Sequence, residues 1–435
     1  MSLSSQFKSF FLYRDLRLKV IYTIAILILV RILAHLPLPG VDLSALREFF
    51  GRNQIFGLLN LFSGGTMENF SIILMGVAPY ITASIVMQLL TMVIPALEEL
   101  SKEGESGQQK INQWTRYLTV PLALIQSYAM ISLLTKGASG QPAILTSGLG
   151  GVNMVSALLT VTAGTILLMW LGELISENGL GNGVSLIITL GIISGIPKML
   201  RDTFALIFTG GAIDWTKLLG LTVFALIAVA VVVFIIIVSE GERRIPVTYA
   251  KRVRGSNVTG GASTYLPMRV NQGGVIPIIF ALSIIIFPGT IAKFLMNAKS
   301  ETLVDIATKV NSFFNNQTIY GILYFVLIIA FTYFYTAIVF NPEKISENLQ
   351  KQGGFISGIR PGRETKQYLS KLLHRLNLSG GLFLGIIAIL PFIVQAITQI
   401  PTLVIGGTGV LILVSVVLDT LRQIKSQLVM RSYQY

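Results

Sequence analysis

Ten long apolar stretches, almost free of ionisable side chains, run through this chain and limit what it can become. They fall at 18–36, 70–95, 115–136, 152–175, 183–201, 217–240, 272–296, 318–340, 377–398 and 402–422. Each is near the ~20 residues a helix needs to cross a bilayer's hydrocarbon. Unbroken apolar runs of this length favour helices over a barrel, whose strands alternate over about ten residues. With 53% hydrophobic and 12% charged residues, the chain is too apolar for a soluble globular protein. It reads as an all-α integral membrane protein. Arg31 is the one charge well inside a stretch, because Glu173, Glu240 and Asp419 fall at the ends of theirs. An ion or proton pump carries more. No small-residue cleavage site follows the first stretch, so no cleavable signal peptide is expected.

An even number of spans puts both termini on one side. If that side is the cytoplasm, the inside segments hold 23 Lys and Arg residues and the outside segments hold 9. This bias predicts N- and C-termini inside. The short loop after the fourth span, with Glu173 and Glu177, runs against the pattern, and its neighbours outweigh it. The net charge of +13 reads either as topology alone or as a signal for an anionic partner. With no cysteine, disulfides and thiolate metal sites are excluded. His35 and His374 are too far apart in sequence to read as a metal pair.

Two inside segments, 241–271 and 341–376, are far longer than a connection requires, and long loops usually carry function. Both mix β-branched and aromatic residues with Arg. Each reads as a projecting hairpin or helix that docks a cytosolic partner, or as a solvated loop against the headgroups.

Seven stretches then point to a family: LPLPGVD at 36–42, NLFSGGTMENFSIILMGVAPYITASIVMQLL at 60–90, KEGESGQQKINQWTRY at 102–117, LGELISENGLGNGVSL at 171–186, RRIPVTYAKR at 243–252, LPMRVNQGGVIPIIFA at 266–281 and VFNPEKISENLQKQGGFISGIRPG at 339–362. Together and in order they resemble SecY, the family of channel subunits of the bacterial Sec translocon. The resemblance implies ten spans in two inverted halves, 1–209 and 210–435, as inverted repeats require. The halves would clasp a central pore, hinged near 202–216, with a lateral gate of spans two and three against seven and eight.

The family register also assigns residues. Val77, Ile81, Ile188, Ile279 and Ile412 match its constriction ring, where branched apolar side chains exclude water and ions yet hold no passing polypeptide. Taken alone, each reads as ordinary packing. The segment 55–69, with Ile55, Phe56, Leu58, Leu59, Gly64 and Gly65, matches the plug, a half-helix under the ring; a re-entrant loop that never moves is the other reading. Thr82, Gln88 and Asn271 match the lateral gate. Interhelical hydrogen bonds in a membrane are worth only ~0.6–2 kcal/mol, which suits a seam that opens, although such residues also serve as plain helix glue. Arg243, Arg244, Lys251, Arg252 and Arg360 match the basic loops that engage the SecA ATPase or the ribosome. Ser256 and Asn257 depart from the basic residues of many relatives, and Gly260 and Gly261 suggest a looser tip.

Enzyme signals fail on inspection. GLGNG at 179–183 follows no strand, so it lacks the context of a dinucleotide loop. GESGQQK at 104–110 lacks the Walker spacing, and no catalytic grouping or cofactor is expected. The resemblance implies a passive channel in the bacterial plasma membrane, driven by SecA or the ribosome, braced by SecE and partnered also by SecG. Its clients would be signal peptides and nascent chains, with membrane lipid at the gate. A secondary transporter of small solutes also uses inverted repeats, but the lack of intramembrane acids and lysines argues against it. A poreless scaffold leaves the short broken segment at 55–69 unexplained.

Overall fold

The computed structural model describes residues 14–38, 66–67, 69–136, 151–207, 215–249, 252–254, 257–259, 263–296, 301–398 and 407–432. Helices dominate. In chain order they are α1 (Arg14–Ala34), α2 (Ala78–Val93), α3 (Pro95–Lys102), α4 (Glu105–Lys136), α5 (Gly151–Asn178), α6 (Gly183–Ile207), α7 (Trp215–Glu240), α8 (Ile276–Leu295), α9 (Glu301–Asn315), α10 (Gln317–Val339), α11 (Pro342–Lys351), α12 (Arg363–Thr398) and α13 (Gly407–Ser432). Among the described residues five strands interrupt them: β1 (Glu242–Tyr249), β2 (Arg252–Arg254), β3 (Asn257–Thr259), β4 (Ser263–Arg269) and β5 (Gly354–Ile356).

Each of the ten apolar stretches overlaps a helix. Among the described residues, Met154–Asn178, Leu218–Glu240, Thr318–Lys351 and Arg363–Pro391 are long and apolar enough to cross a membrane. The pair α2 and α3, bent by 102°, adds a fifth if it counts as one span. Outward apolar stripes agree with a lipid solvent. Ile21, Ile24, Ile28 and Ile32 line one exposed face of α1, and Leu219, Leu226, Val229, Val233 and Ile237 line one face of α7. A soluble protein does not leave stripes of this extent in water.

The chain divides into two compact units. One comprises 1–215, 283–316 and 412–435, and the other comprises 216–282 and 317–411.

In the first unit the second apolar stretch is not one continuous helix. Residues 72–77 form successive turns, with Leu74 N donating to Ser71 O and Gly76 N to Ile73 O. Phe70 and Gly76 take positive φ, and α2 starts only at Ala78. The turn segment is anchored by the Pro37–Ser71 bridge and by Met67, Phe70, Ile73 and Leu74, all almost fully buried. Gly164 of α5 allows this close approach, because a β-carbon there would overlap the Ile72 carbonyl. At its far end α2 breaks at Ile94, where Pro95 starts α3 in a new direction.

The turn between α5 and α6 is held from several sides. Leu180 N donates to Thr23 Oγ1 of α1 at 3.1 Å, Gly181 N to Gln423 Oε1 of α13 at 2.8 Å, and Gly183 N to Ser176 Oγ at 2.9 Å. Gly181 sits at φ +83, and a β-carbon on Gly183 would overlap the Gly172 carbonyl. The glycines of GLGNG thus serve a tight helix-to-helix turn.

In the second unit α10 packs along α12 through glycines. A β-carbon at Gly385 would meet the Phe325 ring, and Gly381 faces Ile329 and Thr332. Small residues permit such contact where lipid offers no hydrophobic drive between helices. Phe280 adds edge contacts to Phe331 and Tyr335, at ring centroid distances of 5.9 and 6.0 Å.

Candidate functional site

The two long segments between apolar stretches, 241–271 and 341–376, fold with each other rather than separately. β1 pairs antiparallel with β4, from Glu242 against Arg269 to Thr248 against Ser263. On its other edge β1 pairs with β5, matching Val247 with Ile356 and Tyr249 with Gly354. The sheet order is therefore β4-β1-β5, with β1 and β4 from the first segment and β5 from the second. Ile245, Val247, Met268 and Ile356 point to one face and pack on Leu369, Leu372 and Leu373 of α12. Each segment alone has too little apolar surface for a core; joined, they have one.

This core presents the basic residues on a firm base. Arg243 and Arg244 are exposed near the start of β1, and Arg244 pairs with Glu242 at 2.7 Å. Arg252 lies on the short β2–β3 hairpin, while Lys251 lies outside the described residues. Arg360 is exposed on the turn from β5 to α12. Gly358 and Gly362 hold positive φ there. The Arg360 N–H donates to Glu364 at 3.4 Å and its carbonyl accepts from Thr365 at 2.9 Å. α11 steadies the same turn: Asn341 caps its first N–H groups, Ser346 donates to Gly362 O at 2.7 Å, and Lys366 pairs with Glu343 at 2.7 Å.

The sheet leads directly to one of the expected gate residues. Val270 N donates to Gly241 O at 2.9 Å, closing the sheet one residue before Asn271, and α8 begins at Ile276. Asn271 is 8% exposed; its Nδ2 donates to Gly274 O at 3.1 Å, and its Oδ1 has no hydrogen-bond partner. In the first unit Thr82 Oγ1 donates to Ala78 O at 3.0 Å and Gln88 Nε2 to Ser84 Oγ at 3.3 Å. The Gln88 Oε1 is likewise buried and unpaired. A buried acceptor left without a donor costs about 1–3 kcal/mol.

Of the five residues expected at the constriction, Val77, Ile188 and Ile412 are 3% exposed or less, while Ile81 and Ile279 are half-buried. Val77 stands at the N-cap of α2, and its carbonyl accepts from Ile81 N at 3.0 Å. The two therefore sit one turn apart, at the point where the unwound segment becomes helix. Val77 also lines a cavity of about 20 Å³ together with Thr66, Gly76, Arg31 and Leu168, roughly the space of one water. Ile188 lies on α6, Ile279 on α8 and Ile412 on α13. The residues expected to form the plug, Ile55, Phe56, Leu58, Leu59, Gly64 and Gly65, lie outside the described residues.

One feature escaped the sequence. Arg116 of α4 and Glu173 of α5 form an ion pair at 2.9 Å, with Tyr80 of α2 within their electrostatic reach. Opposite charges at the same-side ends of consecutive spans were the available signal.

A polytopic α-helical membrane protein, with a broken second span and a small sheet domain built from two of its loops, is the class this fold defines. The SecY family model matches residues 71–421. The chain is 45% identical to protein translocase subunit SecY of Halalkalibacterium halodurans over 424 residues, covering 97% of this chain and 96% of that one. It is 43% identical to the same subunit of Corynebacterium glutamicum over 440 residues, covering 97% of each. Its fold is similar to a solved protein-conducting channel, with a TM-score of 0.63 at 17% identity over 94% of this chain and 91% of that one. A canine Sec61 in a ribosome-channel complex from the endoplasmic reticulum gives 0.60 at 16% identity, over 94% and 91%. This chain belongs to the SecY family.

Proposed function

We propose that the chain is the central channel of a Sec translocase, passing unfolded secretory proteins across the bacterial plasma membrane and releasing transmembrane segments sideways into lipid. Similarity to translocase subunits along nearly the whole chain carries this reading. In it, ten spans form two inverted halves, 1–209 and 210–435, with both termini cytoplasmic. Val77, Ile81, Ile188, Ile279 and Ile412 close the pore by dewetting, and the segment 55–69 plugs it. The unwound turns at 72–77, packed under Gly164, give the plug a fixed point from which to swing.

Thr82, Gln88 and Asn271 form the lateral gate. The unpaired acceptors on Gln88 and Asn271 support this, since the groups that would satisfy them belong to another state or to a signal peptide. The sheet domain is the docking surface for SecA and the ribosome, through Arg243, Arg244, Lys251, Arg252 and Arg360. Because β4 runs through Val270 into Asn271, a load on the sheet reaches the gate through two peptide bonds. SecE braces the channel, with SecG as a further partner subunit. The open apolar groove of about 660 Å³ on α1, lined by Ile24, Ile28 and Leu190, is a surface of the kind a single-span subunit covers.

The chain reads as a conduit rather than an enzyme, so energy must come from SecA or the ribosome. Vesicles reconstituted with the complex test the reading. Uptake of an unfolded precursor only with SecA and ATP is the expected result; solute uptake on an ion gradient, without precursor uptake, would overturn it.

A further inference from the structure

We infer that α9 is an interfacial helix that lies in the headgroup region of the bilayer and seats Leu303, Ile306 and Phe313 at the acyl boundary. The observation is a division of its surface into three sectors. Ala307 is buried, and Phe314 packs beside Gly289 of α8, so one side faces protein. Asp305, Thr308, Lys309 and Ser312 are exposed on another side, where Lys309 pairs with Asp305 at 2.8 Å. Between these sides lies an apolar stripe in which Leu303, Ile306 and Phe313 remain 44%, 59% and 49% exposed. At 3.6 residues per turn these three fall within an arc of about 80°. Phe313 is further held by its edge contact with Phe314, at 5.4 Å between ring centroids.

Chain continuity names the occupant. Asn316 alone separates α9 from α10, and one residue spans only about 4 Å. α10 is long and apolar enough to cross a membrane, and its Ile322 and Val326 are exposed, as on a lipid-facing surface. The end of α9 that carries Phe313 is therefore tethered at the edge of the bilayer. An amphipathic helix held there, with a polar face toward water and a bare apolar stripe beside it, partitions into the interface. A partner protein covering the stripe would have to exclude lipid that is already adjacent.

The chain has no cysteine, so each variant, labelled before assembly with its partners, carries the fluorophore at one position. Ile306→Cys and Thr308→Cys, carrying an NBD fluorophore, are compared in the complete complex reconstituted in phosphatidylcholine and phosphatidylglycerol vesicles. The label at 306 should emit to the blue of the label at 308. It should be quenched several-fold more by lipid spin-labelled near the glycerol than by lipid labelled near the chain end, and hardly by iodide. The label at 308 should be quenched chiefly by iodide. Three outcomes overturn the inference: equal iodide quenching at both sites, shielding of 306 from both iodide and lipid, which means a protein cover, or strongest quenching of 306 by the deep spin label. If Ile306→Cys does not accumulate, Phe313→Cys against Ser312→Cys makes the same comparison.

Discussion

Side chains at close quarters govern the first two expectations. Ile412 is 1% exposed on α13, so Ile412→Asn buries an amide in an apolar collar and recruits water. Resting ion conductance in planar bilayers should rise, with Ile412→Val near the parent. Unchanged leakage from an Ile412→Asn channel that still translocates removes this residue from the ring. Gly183→Val sets a backbone overlap with Gly172 against a turn pinned from α1 and α13. It should cost about 3 kcal/mol, seen as a lower unfolding temperature in detergent. Gly274→Ala meets nothing within 4 Å and bears only the strain of φ +60, about 1–2 kcal/mol, so its loss should be clearly smaller.

Secondary elements act as units in the next pair. The turn bearing Arg360 is fixed by its own capping bonds and by α11, and none of these uses the guanidinium. Arg360→Glu should thus fold and accumulate normally while SecA-driven precursor uptake falls sharply, because charge complementarity steers docking. Normal uptake would remove Arg360 from the motor contact. Between α4 and α5, a double-mutant cycle of Arg116→Gln and Glu173→Gln should give a coupling of roughly 0.6–2 kcal/mol in thermal stability. Strictly additive losses would mean that the pair in the structure contributes nothing.

On the scale of the whole chain, membrane helices gain no hydrophobic drive from touching one another, and a channel that must part along one side keeps few contacts there. The chain expressed alone should be degraded faster, or be more open to protease, than when co-expressed with its SecE. Equal half-life and equal protease resistance in the two cases would show that no brace is needed.

Segment-level chemistry was legible in the sequence because hydropathy is local. Every apolar stretch overlaps a helix, and the resemblance carried by seven ordered segments led to the family that the comparisons bear out. What the sequence left open depended on partners distant along the chain. The span at 70–95 reads as one helix, yet its first residues form turns, and Gly164, more than ninety residues away from Ile72, lets the Ile72 carbonyl press against α5. The loops 241–271 and 341–376 read as two separate docking elements, yet neither has a core until β1 lies between β4 and β5 over Leu369, Leu372 and Leu373. GLGNG reads only as a turn between helices, and its grip on Thr23 and Gln423 appears once α1 and α13 are folded beside it. Hydropathy and periodicity record what each residue prefers as a solvent, so the sequence by itself determined that this is a membrane protein and which segments are apolar enough to form its long helices. Strand pairing, close glycine contacts and ion pairs between helices need two surfaces brought together, and only the tertiary structure decides which surfaces meet.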